Sequence, residues 1–348
     1  MKRTGRDLLI LAALLCSALA HADTTLRYTD HEPYGNMRTR LIQNTFFSAI
    51  EHESEGRIKI DAHWNGEISS SYAALETLSQ GTHADIGIVV PEYSPGQLPR
   101  HQLFKSFPLG PDNANDQVNF FHRIFSDYPQ FAAELDKNNL INLQFFLGYP
   151  AAFFTTKPGL QPDKMAGTRW RTASFWHQAY LRNAGAVPVQ MPWNSKITDA
   201  LQEGQLDGLL VNLDSGSDIH APRSAPYIQL SPALWLGHVY LLVMNKDTWN
   251  ALSTQDKTAI QRAAATAEKI IATTLDTSLT DMTQQLEQEG AHIHYLSRDE
   301  LNKWQAATRY QQVQAEWVME QQKKGVTDAG TLLQAISTLM SEMSQKTQ

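Results

Sequence analysis

Cysteine is nearly absent from this chain. The single copy, Cys16, lies within the first 22 residues, so the remainder offers no disulfide, no thiolate metal ligand and no cysteine nucleophile. Beyond residue 22 no apolar run is long enough to cross a bilayer. Positive charge is also scarce: 29 lysines and arginines against 36 acids leave a net charge of −7, the wrong sign for holding nucleic acid. Enzyme signatures are missing too, with no G-x-S-x-G elbow, no H-E-x-x-H pair and no phosphate-cradling glycine loop. His292 and His294 share one face of a possible strand, but no third ligand is near, so they read as surface or packing residues. Neither a metal nor a cofactor is expected. Low-complexity segments and a convincing internal repeat are absent as well.

What is present begins with "MKRTGRDLLILAALLCSALAHADTT". Lys2, Arg3 and Arg6 precede a short apolar core, and Ala20-His21-Ala22 offers small residues for cleavage, the pattern of a secretory signal peptide over 1–22. Leu15 is too bulky for a lipoprotein signal at Cys16. Cleavage would remove three basic residues and Asp7, leaving 26 against 35 and a charge of −9. Such a chain is expected in the periplasm as a soluble protein, with length enough for two domains.

Short strands alternate with helices. "RIKIDAHW" alternates apolar Ile58, Ile60, Ala62 and Trp64 with polar neighbours, and "ADIGIVV", "TRWRT", "DGLLVNL" and "HVYLLVMN" read as further strands. "SYAALETLSQG" and "NSKITDALQEGQ" read as helices ending at glycine. This order predicts an α/β fold with mostly parallel strands. From Ser253 to Glu289 there is no glycine or proline, and apolar residues recur every three or four positions, which predicts either one long strut or a kinked pair of helices.

"GTRWRTASFW" sets Arg169 and Arg171 on one face of a strand and Trp170 on the other. An acidic neighbour such as Asp163 could neutralise either arginine. "DHEPYG" places Asp30, His31 and Glu32 at the end of the probable first strand, a position where α/β sheets hold ligands. "DSGSD" at 214–218 reads as a turn.

Taken in order, "EGRIKIDAHWNGEISSSYAALETLSQGTHADIGIV", "KMAGTRWRT", "AGAVPVQMP", "ALQEGQLDGLLVN" and "VMNKDTWNALSTQDKTAIQRAA" resemble the substrate-binding proteins of TRAP transporters (tripartite ATP-independent periplasmic), the DctP family. The resemblance runs through almost the whole mature chain. It implies a two-domain periplasmic-binding-protein fold with a central cleft and a long helix spanning both domains. The domains would be 23–148 plus 237–276 and 149–236 plus 277–348. Such a protein closes on an organic acid and delivers it to the membrane subunits of a permease.

The resemblance puts the carboxylate-binding arginine at Arg171, with Arg169 at the neighbouring basic position and Asn212 as a second carboxylate ligand. Trp176 and Trp235 are expected to line the pocket, with Phe175 and Trp193 as further candidates. Glu92, Tyr93 and His31 are expected on cleft-facing loops. Ala151 and Ala152 stand where several relatives place another arginine, which argues against a sialic-acid-like ligand and leans toward a monocarboxylate with an apolar or aromatic body. A sensory binding protein, or a periplasmic enzyme acting on a carboxylate, are the alternatives. A monomer is expected, since no coiled-coil seam is evident.

Overall fold

Two mixed sheets organise the chain. The protein was analysed as a computed structural model, which describes residues 24–345 apart from 192 and 194. The expected leader over 1–22 lies outside the described residues. In chain order the strands are β1 (Thr24–Thr29), β2 (Ile58–His63), β3 (Ile86–Val89), β4 (Leu140–Leu147), β5 (Ala151–Thr155) and β6 (Arg169–Arg171). They continue with β7 (Val187–Val189), β8 (Gly208–Asn212), β9 (Tyr227–Leu230), β10 (Val239–Asn245) and β11 (His292–Tyr295). One sheet runs β2-β1-β3-β10-β4, the other β11-β9-β5-β8-β6-β7.

The expectation of mostly parallel strands needs one correction. β10 pairs antiparallel with both β3 and β4, and β5 pairs antiparallel with both β8 and β9. A parallel neighbour requires a crossover connection. β5 and β10 arrive instead from the other sheet, β5 through residues 148–150 and β10 through 231–238. These two passages thread the sheets together.

The long helix is unbroken. Thr254–Gln288 contains 35 residues, about 52 Å at 1.5 Å per residue. Ser253 caps it: its Oγ accepts from the Asp256 amide at 3.1 Å and donates to the Asp256 carboxylate at 2.7 Å. Ile260, Ala263, Ala267, Ile271, Leu275 and Leu286 form its buried face. It packs against β4 of one sheet and β11 of the other, so it acts as a strut along both. The last helix, Ala329–Gln345, lies against the helix Ala114–Asp127, and Arg123 reaches Glu342 at 3.2 Å.

Although the sequence shows no repeat, each sheet contains the same clamp. Arg27 of β1 uses its backbone N–H and Nε to hold Asp85 Oδ2, both at 2.9 Å, and Nη2 to hold the Gly81 carbonyl. Arg169 of β6 grips Asp207 and the Gly204 carbonyl through the same three nitrogens. In both, the acid precedes the neighbouring strand and the glycine ends the intervening helix, so one arginine fixes a βαβ turn.

Candidate functional site

The parallel strands of the two sheets end toward one another, and the groups past those ends enclose a cavity of about 440 Å³ counting its open mouth. Ligands in α/β folds sit outside the carboxyl ends of strands. His31 and Glu32 follow β1, Glu92 and Tyr93 follow β3, Arg171 ends β6, and Asn212 ends β8. Lys105, Ser174, His177, Trp193, His238 and Tyr240 complete its polar and aromatic lining. Gly148 is needed here: a Cβ at that position would lie 2.5 Å from Nδ2 of Asn212.

Arg171 is only 2% exposed. Nε and Nη2 donate to the Met191 carbonyl at 3.3 and 3.0 Å, and the guanidinium lies 4.9 Å from the Trp193 ring centroid. Burial lowers its pKa, with Tyr93 and Glu92 opposing, yet guanidinium stays protonated in proteins. The other strongly buried cations of the region have acids of their own. Arg38 holds Asp30 at 2.6 Å and Glu32 at 2.7 Å. Lys105 meets Glu92 at 2.9 Å and Nδ1 of His238 at 2.9 Å. Among the described residues, no carboxylate pairs with Arg171.

His238 and His177 stay neutral. Burial and then Lys105 push His238 well below the usual histidine range, and the same causes bring His177 to about 3. Glu32 is pushed up by burial, but Arg38 and His31 outweigh that and keep it ionised. Among the described residues, Arg171 is therefore the buried cation of the cavity with no carboxylate in direct contact.

Three expected site residues lie elsewhere. Trp176 is fully buried, donates to the Gln102 carbonyl at 2.8 Å and packs on Phe175 and Trp317. Trp235 donates to the Phe104 carbonyl at 2.8 Å and stacks with Phe121. Each indole has its N–H satisfied by the turn at Arg100–Lys105, so both rings weld that segment in place and do not face the cavity. Arg169 is committed to Asp207, rather than to Asp163, and its side chain is 43% exposed. Phe175 borders a separate groove with Trp317. Trp193 is the indole that reaches the cavity. Ala151 and Ala152 are buried within β5 and bring no cation to it.

Lys105, His177, His238 and Tyr240 escaped the reading of the sequence. Lys105 breaks the apolar run "LFKSF", and His238 opens the apolar strand "HVYLLVMN". A lone ionisable group against an apolar run is the available signal for such a site. The pair His292 and His294 lies on the exposed edge strand β11, with His294 bonded to Glu300 at 2.9 Å.

The segment "DSGSD" forms part of a short helix, Leu213–Asp218, rather than a turn. Burial, then Glu32 and Asp218, raise Asp214 to about 8; burial and then Glu32 raise Asp218 to about 6. An acid with a raised folded pKa stabilises the fold below its unfolded pKa, and that stability is lost as pH rises through the folded value. The depressed His177 and His238 work oppositely below about 6.5. Between pH 6.5 and 8, Asp214 is therefore expected to cost the fold about 1–2 kcal/mol. Chemical denaturation of Asp214→Asn beside the parent should show the difference growing in the variant's favour across that window. Parallel curves would mean that Asp214 is already ionised at pH 6.5.

Two joined α/β sheets whose strand ends enclose a cavity, with a buried guanidinium in its wall, have the architecture of a solute-binding protein. The profile of bacterial extracellular solute-binding protein family 7 (DctP) matches residues 38–317, and the chain belongs to that family. A solute-binding protein of Albidiferax ferrireducens is 21% identical over 308 residues, 86% of this chain and 89% of that protein. The sialic acid-binding periplasmic protein SiaP of Vibrio cholerae is 21% identical over 85% of this chain and 90% of its own. Among solved structures, DctP7 of Bordetella pertussis, an extracytoplasmic solute receptor binding pyroglutamic acid, superposes with a TM-score of 0.77 at 21% identity, covering 90% of this chain and 99% of that one. A TRAP periplasmic solute-binding protein of Chromohalobacter salexigens with bound D-glucuronate gives 0.77 at 20% identity over 90% and 99%. The fold is thus the two-domain periplasmic-binding-protein fold. No helix among the described residues is long and apolar enough to cross a membrane.

Proposed function

We propose that the protein captures an organic acid in the periplasm, with the carboxylate held by Arg171, and hands it to the membrane subunits of a TRAP transporter. The observation that carries this reading is the unpaired Arg171 guanidinium at the end of β6, buried within the cavity. A planar guanidinium meets a carboxylate through two parallel hydrogen bonds and keeps its charge where water is excluded. Tyr93, Asn212, Glu92 and His31 border the same space and are proposed as its ligand-facing walls; Trp176, Trp235 and Arg169 are not. Relatives whose names specify sialic acid, pyroglutamate or D-glucuronate all take carboxylic acids, which supports the class.

The reading is of a receptor, acting as a monomer, rather than an enzyme. Lys105, Glu92 and His238 are bonded among themselves, an arrangement suited to holding charge still. We place the two domains about the two sheets, with residues 148–150 and 231–238 as the bending passages and the leader at 1–22 as the export signal.

Ligand at one hundred times its dissociation constant should stabilise the fold by about 2.7 kcal/mol. Small-angle scattering should also show a smaller radius of gyration with saturating acid than without, as the sheets close on it. A thermal-shift panel of carboxylates with no stabilising member, or an unchanged radius beside a clear hit, would reject capture or closure respectively.

A further inference from the structure

The helix Phe175–Asn183 begins directly after the strand that carries Arg171. Its N-cap residue is Ser174, the kind of residue whose hydroxyl ordinarily accepts from the backbone N–H groups of the first turn. Here it makes no such bond. Ser174 is 4% exposed and its Oγ is buried without a hydrogen-bond partner, although it borders the cavity. His177, one turn further along the same helix face, is 2% exposed, and among the described residues neither ring nitrogen makes a well-formed hydrogen bond, although the Trp235 backbone lies near enough to act on the ring. Buried polar atoms are almost always satisfied, and an orphan needs an explanation. Two orphaned side chains, three residues apart and bordering one cavity, share one explanation.

We infer that Ser174 and His177 form a second subsite, which hydrogen-bonds an uncharged hydroxyl or amide group on a ligand whose carboxylate is held by Arg171. This rests on the carboxylate reading and sharpens it. The solute is then a small monocarboxylic acid with a polar body, not the apolar or aromatic one the sequence favours. Charge leads to the same class. Lys105 and Arg38 already have their acids, so a second carboxylate would find no unspent cation. His177, driven to about 3 by burial and Lys105, presents one N–H and one lone pair at neutral pH. A hydroxyl or an amide can meet whichever of the two faces the cavity, as donor or as acceptor. An alkyl or phenyl group would leave Ser174 Oγ and the cavity-facing side of His177 without a partner.

The test is calorimetric titration with matched pairs of small monocarboxylates: pyroglutamate against cyclopentanecarboxylate, and 2-hydroxybutyrate against butyrate. The polar member of a pair should bind about 10- to 100-fold more tightly. Ser174→Ala, which deletes an oxygen that bonds nothing, and His177→Phe should each erode that preference from both sides, weakening the polar member and tightening the apolar one. His177→Gln, which keeps a donor and an acceptor, should restore part of it. The preference should also be flat from pH 5 to 8. Equal binding within both pairs, or a preference untouched by Ser174→Ala and His177→Phe, overturns the subsite even where binding still depends on Arg171. Binding that survives Arg171→Ala, or no binding by any acid, instead rejects the carboxylate reading beneath it.

Discussion

Replacing Arg171 with alanine should weaken binding of the cognate acid by roughly 30- to 3000-fold, the 2–5 kcal/mol typical of removing one partner from a buried charge pair. Stability of the ligand-free protein should change little or rise. The desolvation of Arg171 is opposed by Tyr93 and, at longer range, by Glu92, but no acid among the described residues is in direct contact with it; two Met191 hydrogen bonds and the Trp193 face add local compensation. This opposition between folding and affinity separates a ligand-holding arginine from a structural one. Arg171→Lys should recover little, because an ammonium cannot form the planar two-bond fork or keep the same contact with Trp193. Titration calorimetry and chemical denaturation of the three proteins together give the answer. Unchanged affinity in the alanine variant would move the site away from β6. A large loss of stability would make Arg171 part of the scaffold.

Several of these features were legible in the sequence for physical reasons. The two-residue alternation of "RIKIDAHW" places β2, and the uninterrupted 3.6-residue pattern after Ser253 places the long helix. "TRWRT" gives the strand and puts Arg171 at its end. What alternation cannot distinguish is the fate of Arg169 and Arg171, which point to the same face. Asp207 decides it, and its place comes from the turn after another helix. Trp176 and Trp235 were misjudged because their carbonyl partners stand 74 and 131 positions away. Lys105 and His238 meet across 133 positions, so neither announces the other.

The repeated arginine clamp escaped notice because the two copies differ in spacing. Gly81 lies four residues before Asp85, while Gly204 lies three before Asp207. Geometry conserves the hydrogen bonds, and the sequence period does not survive the change. Ser174 shows the converse. Its identity and position promise a helix cap, and only the unmade bond reveals that its hydroxyl is available for something else.

The largest loss of stability is expected at Arg38. Its side chain is 1% exposed, its two terminal nitrogens hold Asp30 at 2.6 and 3.0 Å and Glu32 at 2.7 Å, and its guanidinium lies 4.2 Å from the Tyr240 ring centroid. Asp30 in turn accepts from the Tyr28 hydroxyl and from the Glu32 amide, so this one cation shapes the loop that carries His31 into the cavity. Arg38→Met keeps most of the volume but strands two buried carboxylates, and should cost about 3–5 kcal/mol in chemical denaturation. Arg38→Met combined with Asp30→Asn and Glu32→Gln should recover much of that loss, because the penalty lies in uncompensated charge rather than in missing contacts. The rescued triple variant should bind the acid more weakly than the parent, since the loop loses the ionic ties that orient it. If the single variant lost less than about 1 kcal/mol, the level of an exposed ion pair, Asp30 and Glu32 would have to be reached by water once Arg38 is gone. The wall formed by His31 and Glu32 would then be held by its backbone rather than by this ion cluster.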